Sequence, residues 1–538
     1  MRLFRSASLR AADAAAASMG VPSTELMLRA GLAVAEAVLE GWPLARRVLI
    51  ACGPGNNGGD GFVAAQALAA AGRLVTIAEL RPGASKGDAA WARRRLLDSG
   101  TEVAWSGEGG SRELPTDGHH LVIDALFGTG LTRALEGTAA SWVKEMAACG
   151  LPVVAVDVPS GVDADRAVPP GTCVRAALTL QLAGAVPAAL LAPARTSFGV
   201  SRVVDIGIPE EVLEAHAEAR AVDEDWLRVH GPRRDDDANK YSVGTVLVVG
   251  GSRRYAGATE LSARAAYRAG AGLVTLVSEE RAPSAWPEVV WEPREASESV
   301  SESVRRVLDA PGGTRRARAA LVGPGLEADA QEVSAVLESI RAPVVLDAGA
   351  LLPEVRDAAR EHGKTVLTPH AGEAQRLLDA LGAGATGLGG DASGPDGGAR
   401  APDAKSDPVS AALSLARAWN AVCVLKGPGS VIADPHGRWT ISSSGTPALA
   451  TGGSGDVLAG IIAAFLASTT IDASQPTRSR DTGRDGRSAT PVDGDLWASS
   501  AAAVHLHGIA GACAAERGPG VVAGDVVEAL PAARAGGS

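Results

Sequence analysis

The chain of 538 residues is too long for one ordinary domain, and its 46% hydrophobic content is ample for two or three buried cores. A formal net charge of −11 excludes the basic footprint of a nucleic-acid binder. Five isolated cysteines (Cys52, Cys149, Cys173, Cys423 and Cys513) have neither paired nor metal-like spacing, and read as reduced thiols in a cytoplasmic protein.

In chain order, the N-terminus MRLFRSASLRAADAAAASMG lacks a strongly apolar centre and is interrupted by Asp13, which predicts an opening helix rather than a signal peptide. Apolar runs then alternate with helix-like stretches. RRVLIAC, RLVTIAEL, HLVIDAL and PVVAVDVP predict parallel strands covered on both faces. The uncharged stretch 176–194, AALTLQLAGAVPAALLAPA, approaches bilayer length, but Gln181, Pro187, Pro193 and its alanine content predict a buried strand, turn and helix. No membrane span is expected. Near 222 the charged segment DEDWLRVHGPRRDDDANKYSVG predicts a domain boundary, dividing the chain into 1–221 and 222–538. Beyond it TVLVVGG, AGLVTLVS, RAALVGPG, APVVLDAGA, KTVLTPH and AVCVLKGPG predict a second α/β unit. The Gly-, Pro-, Ser-, Asp- and Arg-rich segments 385–405 and 468–495 predict surface loops without chemistry.

Three polar clusters follow strands of the first half, where α/β sheets bind ligands: GPGNNGGDG (53–61), Asp124 with FGTGLTR, and DVPSG (157–161). Glycines admit a phosphate to the backbone, and amide, carboxylate and hydroxyl oxygens together suit a hard cation. The plainer alternative makes Asn57 and Asp60 caps of the next helix. The ordered set NNGGDG, IDALFGTGL and DVPSG resembles the NAD(P)H-hydrate epimerase family over about residues 1–215, as does the opening SLRAADAAAASMGVPSTELMLRAGLAVAEAV, although Leu28 stands where an acidic residue is expected. The resemblance implies that Asn56, Asn57, Gly58, Gly59 and Asp60, with Gly128, Thr129, Gly130, Leu131, Thr132, Arg133 and Ala134, hold the hydrated nucleotide. It also implies potassium ligation by Asn57, Asp124 and Ser160, with Asp157 against the substrate. Asp157 and Asp124 both remain open as the acid–base carboxylate.

In the second half, ATGGSGDVLAGIIAAFLA (450–467) leads glycines into a helix, so Gly453, Ser454, Gly455 and Asp456 fall at its positive end. Stacked N–H groups there form an anion hole, and Asp456 is placed to take a proton from an attacking hydroxyl. The segment resembles the ribokinase-like superfamily. With KYSVGTVLVVGGSRRYAGATELSARAAYRAGAGLVTL, LVGPGL, VVLDAGAL, VLTPHAGEAQRLL and VLKGPGSVIA in order, the chain from about 230 to 530 resembles the NAD(P)H-hydrate dehydratase family. Gly349, Pro428, Ser430 and Glu327 depart from its usual residues.

The two resemblances together imply an α/β fold with an N-terminal Rossmann-like three-layer sandwich and a C-terminal ribokinase-like domain, fused as in the bifunctional NAD(P)H-hydrate repair family. Ala258, Gly325, His370 and Asp456 are implied to contact the hydrate. Lys426, Gly427, Pro428, Gly429 and Ser430, with Gly455, are implied to contact ADP, which carries Mg2+. Catalysis is assigned to Asp456 and Asp157, the cofactors are K+ and Mg2+ with ADP, and a homo-oligomer acting on NADHX and NADPHX is expected, with no nucleic-acid or membrane partner. A packed or capping His370 and a solvated Lys426 are the plainer alternatives. An ATP-dependent small-alcohol kinase and a binding protein without turnover are the competing functions.

Overall fold

A computed structural model describes residues 1–106, 113–232, 236–284, 286–295, 297–310, 317–385, 402–469 and 495–536. The low-complexity segments 385–405 and 468–495 fall largely outside these. The chain divides into one unit of Met1–Arg220 with Lys405–Asp407, and another of Ala221–Ala404 with Pro408–Ser538.

The strands of the first unit are β1 (Arg2–Leu3), β2 (Arg47–Cys52), β3 (Leu74–Glu79), β4 (Ala104–Ser106), β5 (Leu121–Ala125), β6 (Val153–Val156), β7 (Leu178–Leu182), β8 (Val200–Val204) and β9 (Ala219–Arg220). Among the described residues, β4-β3-β2-β5-β6-β7-β8 form one sheet, parallel throughout, while β1 pairs antiparallel with β9. The period of two sorts β2 between layers. Val48, Ile50 and Cys52 pack with helices Ser23–Gly41 and Asn56–Ala70, and Leu49 and Ala51 with helix Gly137–Ala148. This is a three-layer sandwich, and each fully buried Val, Leu or Ile contributes roughly 1.5–3 kcal/mol.

The opening helix forms over Ser6–Ser18. The 176–194 stretch differs from expectation. Strand β7 is followed by short 3-10 turns at Pro187–Ala189 and Ala194–Ser197 instead of an α-helix, because Pro187 and Pro193 lack the N–H an α-helix would need. No helix of the described residues is long and apolar enough to cross a membrane. Edge strands β4, partly buried, and β8, largely exposed, are mixed in polarity and lack the continuous apolar run that would mark them in the sequence.

The second unit contains β10 (Thr245–Val249), β11 (Leu273–Ser278), β12 (Val290–Pro293), β13 (Ala319–Val322), β14 (Val344–Leu346), β15 (Thr365–Leu367), β16 (Val422–Leu425), β17 (Ser430–Ala433) and β18 (Trp439–Ser442). They lie in the order β12-β11-β10-β13-β14-β15-β16-β17-β18, parallel as far as β16 and antiparallel over the last two pairs. The charged segment after 222 is more than a linker. Asp223 caps helix Glu224–His230 by accepting from the Trp226 N–H, and the Trp226 indole donates to the Ala498 carbonyl while packing on the core. Helix Ser454–Thr469 is apolar on nearly all sides and buried among helices Ala256–Ala269, Leu496–Ala515 and Ala523–Gly536. Its N-terminus opens at the carboxyl ends of β14 and β16, where Asp347 and Lys426 lie.

Candidate functional site

In the first unit a cavity of about 650 Å³ opens beyond the carboxyl ends of β2, β5 and β6. Asn56, Asn57 and Asp60, the loop Gly128–Arg133 and Asp157 line it, so the three polar clusters of the sequence converge. Gly58, Gly59, Asp124, Ser160 and Ala134 do not line it. The turn from β2 into helix Asn56–Ala70 is tight. A Cβ at Gly58 would sit on the Gly53 carbonyl oxygen, which excludes any side chain there.

No side chain caps that helix. Asn57 and Asp60 instead turn inward: Asp60 is only 5% exposed, and the Asn57 amide nitrogen is buried without an acceptor. The capping alternative therefore fails for both residues.

Asp124 is fully buried beneath the cavity. Its two oxygens accept from the Ser160 N–H at 2.8 Å and the Ser160 hydroxyl at 2.7 Å. The Ser160 oxygen also accepts from the Phe127 N–H at 3.0 Å, which ties DVPSG to the FGTG loop. Burial pushes the Asp124 carboxyl up to about 6, with the Ser160 hydrogen bonds holding it from rising further. Asn57 approaches the same loop at Gly128, whose Cβ would come 3.1 Å from Asn57 Oδ1. One carboxylate with amide, hydroxyl and carbonyl oxygens fits a hard monovalent cation. Among the described residues no cluster of three or more His, Cys, Asp or Glu is built for a transition metal.

Asp157 closes the cavity from the end of β6, in the left-handed region at φ 66°. Such strain costs roughly 1–3 kcal/mol and persists where surrounding structure enforces it. Its Oδ2 accepts from the Thr129 N–H at 2.8 Å, and burial raises its carboxyl. Asp60 is raised well above the usual carboxylate range, first by burial and then by Asp157 and Asp13; Asp13 rises to about 6 for the same reasons. The cavity is thus lined by carboxyls whose pKa values are all raised by burial. Helices Ser6–Ser18 and Ser23–Gly41 supply the rest of the wall through Leu9, Arg10, Asp13 and Met27. The sequence reading did not assign these residues; the one available signal was a lone acid, Asp13, in an alanine run.

In the second unit Asp347, Lys426 and the Gly455–Asp456 pair, from three separate motifs, meet at the N-terminus of helix Ser454–Thr469. Lys426 Nζ lies 2.8 Å from Asp347 Oδ1, and a Cβ at Gly455 would be 3.3 Å from that same amine. Burial pushes the Asp456 carboxyl up to about 7, with Asp347 adding to the rise and Lys426 opposing it. Ser454 shares a hydrogen bond of 3.2 Å with buried His507, whose pKa burial lowers to about 4, so the imidazole is neutral. Lys426 is therefore not a free, solvated side chain.

The KGPGS segment is the hairpin between β16 and β17. Its Ser430 hydroxyl donates to the Gly427 carbonyl and accepts from the Gly427 N–H. Gly325 abuts Tyr255 and Ala258, bringing the LVGPGL turn against the start of helix Ala256–Ala269. His370 is 62% exposed along its side chain, and its Nδ1 accepts from the N–H groups of Gly372 and Glu373. In this structure His370 caps a helix; its Nε2 lies 3.6 Å from Glu373 Oε1, and its backbone forms an isolated bridge with Lys426.

A family model described as NAD(P)H-hydrate dehydratase matches residues 246–532, and another, described as YjeF-related protein N-terminus, matches 23–188. The bifunctional NAD(P)H-hydrate repair enzyme of Moorella thermoacetica is 34% identical across 95% of this chain and 92% of its own length. That of Pyrobaculum aerophilum is 33% identical across 99% and 98%. A crystal structure of the ADP/ATP-dependent NAD(P)H-hydrate dehydratase from Bacillus subtilis, 24% identical, covers 60% of this chain and 99% of its own with a TM-score of 0.43. With both halves matched in order and relatives similar from end to end, the chain belongs to the bifunctional NAD(P)H-hydrate repair enzyme family, joining an epimerase-type half to a dehydratase half.

Proposed function

We propose that residues 1–221 epimerise R and S NAD(P)HX and that residues 222–538 dehydrate the S form to NAD(P)H at the expense of ADP, releasing AMP and phosphate. The observation that carries this reading is Asp456. It stands in the first turn of a buried helix with its carboxyl near 7, acted on by an ammonium group. A base poised near neutrality at an anion-binding helix end suits transfer of a phosphoryl group to a hydroxyl.

The hydrate's hydroxyl gives its proton to Asp456 as its oxygen attacks the terminal phosphorus of ADP, and AMP departs. The C–O bond then breaks with the electron pair leaving on phosphate, and loss of the neighbouring C–H proton restores the ring double bond. Phosphate leaves far more readily than hydroxide, which is why a nucleotide is consumed. Lys426, Gly427, Pro428, Gly429, Ser430 and Gly455 hold the nucleotide, and Ala258, Gly325 and His370 the hydrate. Mg2+ accompanies ADP and offsets its charge.

In the first unit a protonated carboxyl gives its proton to the departing hydroxyl, so that water leaves and the ring nitrogen shares its electron pair. Water adds to the opposite face and returns a proton to a carboxylate. Asp157, which faces the cavity, is assigned this role in preference to the fully buried Asp124. Asn57, Asp124 and Ser160 would hold K+, which would supply a positive charge beside the phosphate-binding loop. Asn56, Asn57, Asp60 and Gly128 to Arg133, which line the cavity, hold the nucleotide, with Gly58 and Gly59 forming the turn behind them, and the assembly is a homo-oligomer.

The test supplies mixed-epimer NADH hydrate with potassium, magnesium and either ADP or ATP, and follows the near-ultraviolet absorbance of NADH. Full recovery is expected. Asp456→Asn abolishes it, and Asp157→Ala delays only the fraction that must first epimerise. No recovery with either nucleotide would move the assignment to a small-alcohol kinase.

A further inference from the structure

Asp347 has no part in the mechanism above, yet it is the most enclosed charge near Asp456. It is 2% exposed at the end of β14, and its Oδ1 accepts both from Lys426 Nζ at 2.8 Å and from the Thr368 hydroxyl at 2.8 Å. The backbone is bent to present it. Ala348, the next residue, lies in the left-handed region at φ 44°, where a non-glycine residue is strained. The side chain does not cap the 3-10 turn that follows, Ala348–Ala350, so its lone pairs are kept for residues of other strands. A buried carboxylate requires a partner, and Lys426 is that partner.

We infer that Asp347 is a positioning residue of the dehydratase site, holding the Lys426 ammonium at the helix end that carries Asp456 so that the lysine sets how readily Asp456 acts as a base. The inference rests on the dehydratase reading of this unit. The Lys426 amine is hydrogen-bonded to Asp347 and lies at Gly455, the residue before Asp456. Lys426 favours the ionised form of Asp456, and Asp347 opposes it. Among the described residues, Asp347 and Lys426 are the charges that act on Asp456. His507, on helix Leu496–Ala515, is neutral and reaches only Ser454, and helix Ala256–Ala269 offers the Ser262 hydroxyl, which donates to the Asp456 carbonyl oxygen. The arrangement separates two tasks: Asp347 fixes where the amine sits, and the amine adjusts the base.

The two partners then act on the pH profile in opposite directions. The experiment measures dehydratase rate against pH for the full chain, with ADP and S-hydrate, in wild type, Asp347→Asn and Lys426→Met. In wild type the rate falls as pH drops below about 7, where Asp456 takes up its proton. Asp347→Asn keeps an Oδ1 acceptor that holds the Lys426 amine in place while removing the like charge, and moves that limb about one pH unit lower, and Lys426→Met moves it about one unit higher. A loss of packing alone would lower both rates without moving the limbs apart. Limbs that stay in place in both variants, or move the same way, overturn the inference while wild-type activity upholds the dehydratase reading. An inactive wild type overturns that reading itself. Should Asp347→Asn not fold, the Lys426→Met limb alone decides: unmoved or lowered, it sinks the proposal.

Discussion

Replacing Asp456 by Asn should stabilise the second unit while abolishing its chemistry. Native Asp456 holds its proton to about 7, against 3.8 for an ordinary aspartate, chiefly because burial penalises the charged form. Each pKa unit corresponds to about 1.4 kcal/mol, so full ionisation costs the native state at most ~4 kcal/mol. The carboxylate keeps some contact with solvent, which lowers this to about 2–4 kcal/mol. The sign follows from linkage. The folded state binds the proton more tightly than the unfolded one, so wild-type stability falls as pH rises from about 4 to about 7 and is level beyond. Asparagine carries no such loss. The difference between variant and wild type should be near zero at about pH 4 and grow to a few kcal/mol at about pH 8. Hydrogen-exchange protection of the amides in helix Ser454–Thr469 reads the unit directly, whatever the other does. A variant no more stable than wild type at the alkaline end would show that the carboxylate is well solvated or well paired, and would remove the physical basis for treating it as a poised base.

Gly128→Ala would drive a methyl group onto Asp157 Oδ2 and to 3.1 Å from Asn57 Oδ1. Epimerisation should slow about a hundredfold with the fold intact, as judged by unchanged circular dichroism; near-normal epimerase rates would place the reacting carbon elsewhere. Ser160→Ala removes the hydroxyl hydrogen bond that helps hold down the Asp124 carboxyl and leaves the backbone one in place. The potassium concentration for half-maximal epimerase activity should rise about tenfold or more, and a potassium response equal to wild type would dismiss Ser160 as a ligand. Buried His507, lowered to about 4, binds protons less well in the native state than unfolded, so acid costs stability as pH falls from about 6.5 to about 4. His507→Gln should abolish up to ~3 kcal/mol of that acid-side loss, which urea unfolding across the interval would detect.

Elements whose cause is local were legible in the sequence. RVLIAC, LVIDA and VLVV are continuous β-branched and leucine runs, so parallel, doubly covered strands followed from composition alone. Pro187 and Pro193 likewise argued against a membrane helix, although they also denied the α-helix expected there. Strands β17 and β18 went unread because an antiparallel hairpin at the sheet edge looks, residue by residue, like any short apolar stretch beside a glycine turn.

In the sites, the sequence by itself determined which groups are available: NNGGDG, Asp124, DVPSG and GGSGD all follow strands or open helices, where backbone donors are free. Only tertiary structure decided what those groups do. Asn57 and Asp60 have the composition of caps, yet they face a cavity closed by helices from the start of the chain. His370, in a ligand-like motif, spends its Nδ1 on its own helix. Asp347 and Lys426 stand 79 residues apart, and their contact exists because β14, β15 and β16 lie side by side. Local sequence fixes backbone conformation and chemical type. Protonation depends on burial and on the charges nearby, and those are properties of the packed chain.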